Sequence, residues 1–253
     1  MPIEDAYICS QLAEPFLRVL EIGVYKGGWL FTMKDNQPNI DARGIDPYPN
    51  LGNIKSKFLI DSCKKNYKIP IQLYTDWAEF FTKNSQKDKF QLIHVDGEHS
   101  ENAVANDLNH AFSFWDFSGV IIIDDFFSNT HPGVTNSALN FIKMNRLKAF
   151  LLTDKKIYIC HSDYYTNYYS KAKQLLQTSG INYLDKQTNS FYDQDITIDS
   201  TRIIVKLPHS FIDDWNIIKN LQVTLPVTIR LKKVLKMLLP PLLIYCMQKI
   251  KSR

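Results

Sequence analysis

The chain has 253 residues, 45% of them apolar and 22% charged, with a net charge of +4. That length holds one sizeable core and a small appendage, and the balance is that of a globular protein. The excess charge is local: residues 227–253 carry seven basic side chains and no acid, leaving 23 basic against 26 acidic residues in the rest. A mildly acidic body offers no basic stripe, so nucleic acid is excluded as an expected partner. Cys9, Cys63, Cys160 and Cys246 are scattered, with no C-x-x-C pair. That speaks against a zinc site or a disulfide scaffold and suits a reducing cytosol. The start, Met1 to Tyr7, lacks the basic and apolar regions of a signal peptide, so a cytoplasmic location is expected.

Residues 16–22 are a short apolar run ending at Gly23, which reads as a buried strand and a glycine turn. Only about 15 residues precede it, so no N-terminal lid is expected. A helix begins near residues 29–33, and residues 40–45 form a second strand that ends at Asp46 and is broken by Pro47 and Pro49. Residues 54–67 read as a helix, 71–74 as a third strand followed by Asp76, and 77–81 as the opening of another helix. Two apolar strands then end in carboxylates, at Asp96 and at Asp124 with Asp125, with a helix over residues 100–115 between them. A right-handed strand–helix–strand unit puts both strand ends on one edge, where ligands of open α/β sheets bind. A loop containing His131-Pro132-Gly133 follows, then a helix over residues 136–145. Residues 149–153 and 157–160 read as a hairpin joined through Asp154-Lys155-Lys156. A tyrosine-rich helix at 164–177 closes at Gly180, and a strand is expected at 201–207. The fold class is therefore α/β: a doubly wound, mostly parallel Rossmann-like sheet with an antiparallel hairpin at one edge. The expected division is a core at 1–160, an α/β extension at 161–226 and an amphipathic tail at 227–253.

Two groups carry candidate chemistry. The turn Glu21-Ile-Gly23-Val-Tyr-Lys-Gly27-Gly28 lets backbone approach a ligand, and Asp46, 23 residues after Gly23, is placed to bind a ribose diol. The spacing is not G-x-G-x-x-G, and the turn begins with an acid. Both features favour a ligand without a pyrophosphate and with a cationic part. The second group is the acid trio Asp96, Asp124 and Asp125. Two carboxylates about 4 Å apart repel by ~4 kcal/mol at an effective dielectric of about 20. A divalent cation would remove that repulsion, and oxygen ligands without cysteine favour magnesium, manganese or calcium. The alternative is that one of these acids caps the following helix or loop. Glu98 and His99 follow Asp96 as candidate acid–base groups. His94, within its strand, reads as a core histidine, Asp107 and His110 as packing or surface residues, and His131 as a residue of the loop above the sheet edge, with a lid role as the lesser alternative.

Leu-Glu-Ile-Gly-Val-Tyr-Lys-Gly-Gly, Gly-Ile-Asp-Pro, Ile-His-Val-Asp-Gly-Glu-His-Ser and Gly-Val-Ile-Ile-Ile-Asp-Asp-Phe, with Pro-Gly-Val soon after, resemble class I S-adenosylmethionine-dependent methyltransferases. The likeness is to the macrocin- and novobiocin-type sugar O-methyltransferases and covers roughly residues 16–160. It implies that Glu21, Gly23 and Gly27 line the methionine end of S-adenosylmethionine. Asp46 would hold the ribose, and Asp76 with Trp77 would contact the adenine. Asp96, Asp124 and Asp125 would bind magnesium, with Asp96 bordering the cofactor as well. Glu98 would be the general base, with His99 its rival. The implied reaction is methyl transfer to a hydroxyl of a small molecule, a sugar or glycan precursor. The alternatives are a cofactor-binding enzyme of hydroxylase type and a non-catalytic scaffold. A nicotinamide oxidoreductase is disfavoured by the missing third glycine.

The tail has two readings. Residues 230–239 form a basic amphipathic pattern stopped by Pro240 and Pro241, and the apolar stretch 237–247 is 11 residues long. A bilayer span needs about 20. The segment either lies in the headgroup plane at the inner face of an anionic membrane or docks on the body or on a second copy of the chain.

Overall fold

The computed structural model describes residues 3–13, 18–49, 51–85, 87–181, 183–184, 186–188, 193–195, 197–198 and 201–206. The expected amphipathic tail lies outside them. In chain order the elements begin α1 (Ile3–Ala13), β1 (Arg18–Ile22), α2 (Gly28–Asn36), β2 (Asp41–Ile45), α3 (Gly52–Lys65), β3 (Gln72–Tyr74) and α4 (Trp77–Lys83). They continue β4 (Phe90–Val95), α5 (Glu101–Phe114), β5 (Trp115–Ile123), α6 (Pro132–Met144), β6 (Lys148–Leu152), β7 (Ile157–Cys160) and α7 (Tyr165–Thr178). Short strands follow: β8 (Tyr183–Leu184), β9 (Lys186–Thr188), β10 (Asp193–Asp195), β11 (Thr197–Ile198), β12 (Thr201–Arg202) and β13 (Ile204–Lys206).

The main sheet runs β3-β2-β1-β4-β5-β7-β6-β13-β8. Strands β3 to β5 in that order are parallel, and β7 is antiparallel to both β5 and β6. The order reverses between β1 and β4, which is the switch point where a doubly wound sheet opens a crevice. The β6–β7 hairpin lies inside the sheet rather than at its edge. Strand β13 pairs parallel with β6, and β8 closes that side. Residues 183–206 thus complete the sheet and two small ribbons, β9–β10 and β11–β12.

Alternate side chains of the buried strands feed two cores, one on each face. Leu20 and Ile22 of β1 pack with Phe80, Leu108 and Phe141. Val19 packs on the other face with Ile8, Leu30 and Ala172. The N-terminal helix α1 was not foreseen. It forms because Ile8, Cys9 and Leu12 make one apolar stripe, each fully buried. Helix α6 starts four residues earlier than expected: Pro132, read as loop, occupies its first turn, where a fixed φ and a missing N–H cost nothing. The tyrosines of α7 pack rather than face solvent as a set. Tyr168 stacks on Phe150 and donates to Ser118 O, and Tyr165 donates to Arg202 O. Among the described residues no helix is long and apolar enough to cross a membrane.

Candidate functional site

The carboxyl edge gathers the expected residues from five strand ends. Gly23, after β1, has φ +84, and a Cβ there would lie 1.9 Å from the Asp96 carbonyl oxygen. Only glycine lets the β1 turn pass the end of β4. Gly27 also has positive φ, but the space a side chain would need is filled by Phe58, so it packs the start of α2. Tyr25, Tyr48 and Asp125 also adopt left-handed backbone, at φ 48, 48 and 51. Each follows a different strand of this edge, and strain of this kind concentrates at functional turns.

Asp46 ties two of those turns together. One oxygen accepts from Tyr25 N and the other from Tyr48 N, both at 2.7 Å. Each oxygen keeps capacity for a further bond. Asp76 caps α4 by accepting from Glu79 N at 2.7 Å. Trp77 donates through Nε1 to Asp107 Oδ1 at 2.9 Å, joining α4 to α5. Asp107 was read as packing or surface; burial raises its carboxyl pKa and the Trp77 bond opposes the rise.

Beneath the edge lies a buried chain of charges. Glu21 and His94 face each other across the β1–β4 ladder. Glu21 Oε1 lies 3.1 Å from His94 Nδ1, and His94 Nε2 lies 2.9 Å from Lys156 Nζ. Lys156 also donates to Asp124 Oδ2. An ammonium can only donate, so the His94 ring is held between the Lys156 donor and the Glu21 carboxylate. His94 is buried and stacks on Trp29 at 4.9 Å, as a core histidine does, and it also joins Glu21 to Lys156. Lys156 was missed altogether. Its signal was its place as the second of two lysines, directly before the strand Ile157–Cys160. Glu21 Oε2 is buried and has no hydrogen-bond partner among the described residues, and burial raises the Glu21 pKa.

The three acids do not form one set. Ligand atoms of His94, Asp96 and Asp124 lie within 4.8 Å of one another, and those of His99, Asp125 and His131 form a second such group. Asp124 turns inward: Oδ1 accepts from Asp125 N at 2.8 Å and Oδ2 from Lys156. Burial works against its ionisation, but the His94 contact and the Lys156 ammonium hold its pKa well below the usual carboxylate range. Asp96 goes the other way, pushed up to about 7 by burial, with His94 opposing and Asp124 adding to the rise. Asp125 turns outward, its Oδ2 3.4 Å from His99 Nε2 and 3.9 Å from His131 Nδ1. His99 Nε2 is also 3.8 Å from Asp96 Oδ1. Asp96, Glu98, His99 and Asp124 line a cleft floored by Val104 and Val134, with Glu98 exposed on its rim.

Two observations fit S-adenosylmethionine here. The unpartnered Glu21 oxygen suits an ammonium, and Asp46 keeps lone pairs for a diol. A magnesium ion shared by all three acids fits poorly, because Asp124 is committed to Lys156.

Solved methyltransferases share this fold. Residues 20–126 match the family model described as a methyltransferase domain. Uncharacterized protein R132 of Acanthamoeba polyphaga mimivirus is 30% identical over 128 residues, which is 47% of this chain and 58% of that protein. The chain thus matches little more than half of that relative's length. The S-adenosylhomocysteine-bound methyltransferase PaMTH1 of Podospora anserina superposes with a TM-score of 0.51 at 15% identity, over 62% of this chain and 76% of that one. The O-methyltransferase TomG of Streptomyces achromogenes, solved with S-adenosylmethionine, gives a TM-score of 0.50 at 13% identity, over 64% and 81%.

Proposed function

We propose that the chain transfers a methyl group from S-adenosylmethionine to a hydroxyl of a small molecule, of the sugar or glycan-precursor class. The observation that carries this reading is the convergence of Glu21, Gly23, Asp46 and Asp96 at the β1/β4 switch point, all inside the stretch that matches the methyltransferase domain. The cofactor supplies the reactive methyl on a sulfonium for in-line transfer. Glu21 holds the amino group of its methionine end, which gives the buried carboxylate a second cation. Asp46 holds the ribose hydroxyls and, through Tyr25 and Tyr48, keeps both turns closed around them. Asp76 and Trp77 border the adenine from α4. Glu98 and His99, in the β4–α5 loop, are the candidates to take the acceptor proton. Proximity and orientation of the two reactants provide most of the acceleration. A divalent cation on the Asp96 and Asp125 side of the edge would lower the pKa of a bound acceptor hydroxyl.

The test is calorimetric titration of S-adenosylhomocysteine into the full chain, with a divalent cation and again after chelation. Micromolar binding in both, weakened about tenfold or more by Glu21→Gln, is the expected result, since a charged hydrogen bond contributes roughly 1.5–3 kcal/mol. Absence of binding in both would remove the methyltransferase reading.

A further inference from the structure

We infer that His99, Asp125 and His131 form a seat for a transition-metal dication, which takes Asp125 out of the three-carboxylate set. The inference deepens the reading of this edge as metal-assisted, but it needs only a bound metal and not methyl transfer.

The group formed by His94, Asp96 and Asp124 already has its cation. Lys156, with its side chain 2% exposed, bridges Asp124 and His94. A dication on Asp124 would sit against a buried ammonium where little water screens the repulsion. Asp124's other oxygen is occupied by Asp125 N. The outward group is arranged differently. His99 Nε2 is buried and has no hydrogen-bond partner among the described residues, although Asp125 Oδ2 stands 3.4 Å away. That separation is too long for a good hydrogen bond. It suits two ligands of one ion: metal–nitrogen and metal–oxygen bonds of about 2.0–2.2 Å put neighbouring ligand atoms roughly 3–3.5 Å apart. The His99 and His131 rings are 4.2 Å apart at their centroids. The hydroxyls of Ser128 and Thr130 lie 3.0 and 3.1 Å from His131 Nδ1, the nitrogen that also faces Asp125; they hold the ring at the edge, and an ion would take that nitrogen in their stead. The left-handed backbone at Asp125 is what turns its carboxylate toward the two imidazoles and away from Asp124. Lys155 lies 3.7 Å from Asp125 Oδ1 but is 65% exposed and free to swing into solvent.

Two imidazoles and one carboxylate favour zinc, cobalt, iron(II) or manganese over magnesium, which prefers oxygen ligands. With His99 committed to a metal, Glu98 is the group left to accept the acceptor proton.

The experiment uses the full chain, stripped with a chelator and titrated with Co2+ followed by visible absorption, and with Zn2+ and Mg2+ by calorimetry. One equivalent of Co2+ should bind with a ligand-field band, at least about tenfold more tightly than Mg2+. His131→Gln and His99→Gln should each weaken it about tenfold or more. Removing both charges of the buried pair, with Asp124→Asn and Lys156→Met together, should leave Co2+ affinity within about threefold. A melting temperature for each variant guards against misfolding, and either histidine variant suffices if the other does not fold. Co2+ binding unchanged in the histidine variants, binding lost only with Asp124, or no binding would overturn the proposal. S-adenosylhomocysteine binding in the same samples separates the claims. Cofactor without metal sinks this site alone, and metal without cofactor sinks the methyltransferase reading alone.

Discussion

Two buried lysines flank the β6–β7 turn, and they do different things. Lys206, at the end of β13, lies 3.3 Å from Asp5 of α1 and 3.9 Å from Asp154. It joins residues 201 positions apart, and so acts as a clasp between the first helix and the last described strand. Lys156 instead looks inward and begins a run of contacts that passes through His94 to Glu21, the acid of the β1 turn. The same pairing, a lysine and an aspartate out of water, fastens the fold in one place and connects two halves of the site in the other. Removing one partner of a buried pair leaves an uncompensated charge, so stability alone will not tell them apart. Function should.

The largest effects belong to that contrast. Lys156→Met and Lys206→Met should each lower the unfolding free energy by about 3–5 kcal/mol in urea. Lys206→Met should leave S-adenosylhomocysteine affinity within about twofold, whereas Lys156→Met should weaken it, because the His94 ring that contacts Glu21 loses its neighbour on the other side. Adding Asp124→Asn to Lys156→Met should recover part of the stability through a coupling of about 0.5–3 kcal/mol. Equal cofactor affinity in the two lysine variants would erase the distinction between clasp and relay.

A second effect sharpens the comparison within the site. Asp96 and Asp124 are close neighbours whose carboxyls shift in opposite directions, since Lys156 contacts only Asp124. A carboxyl raised to about 7 binds its proton more tightly in the folded state. Its contribution is therefore present at low pH and lost as pH rises from about 4, the ordinary value, toward 7. Asp124, depressed, works in the opposite sense: its contribution is full above about pH 4 and is lost only as pH falls below that. In chelator, the melting temperature of Asp96→Asn should gain on the parent steadily between about pH 4 and 7 and hold its lead above that. Parallel curves would mean that Asp96 ionises normally.

The parts of the fold that could be read from the sequence are those governed by local pattern. Apolar runs ending at Gly23, Asp46, Asp96 and Asp124 marked the parallel strands and their ligand edge, because period and punctuation are properties of a few adjacent residues. Three things were not legible for the same reason. Helix α1 depends on burial against α2 and α7, not on strong propensity. The interior position of the β6–β7 hairpin depends on β13, a three-residue strand held by pairing with β6 and β8. The separation of Asp124 from Asp125 depends on Lys156, 32 residues away, and on one left-handed residue. Adjacency made the pair look like a joint ligand set, and tertiary contacts divide it.

The smallest effect tests whether a residue can be both frame and ligand. Asp76 caps α4 and also stands where an adenine contact is proposed. If capping were its whole role, Asp76→Ala should cost about 0.5–2 kcal/mol of stability, Asp76→Ser should recover most of that, and both should leave S-adenosylhomocysteine affinity unchanged. If it also meets the cofactor, Asp76→Ser should restore the melting temperature while affinity stays reduced, since a serine oxygen can cap Glu79 N but lacks the charge and reach of a carboxylate. A stable Asp76→Ser protein with parental affinity would confine Asp76 to the frame and leave Trp77, held by Asp107, as the residue of α4 that faces the adenine.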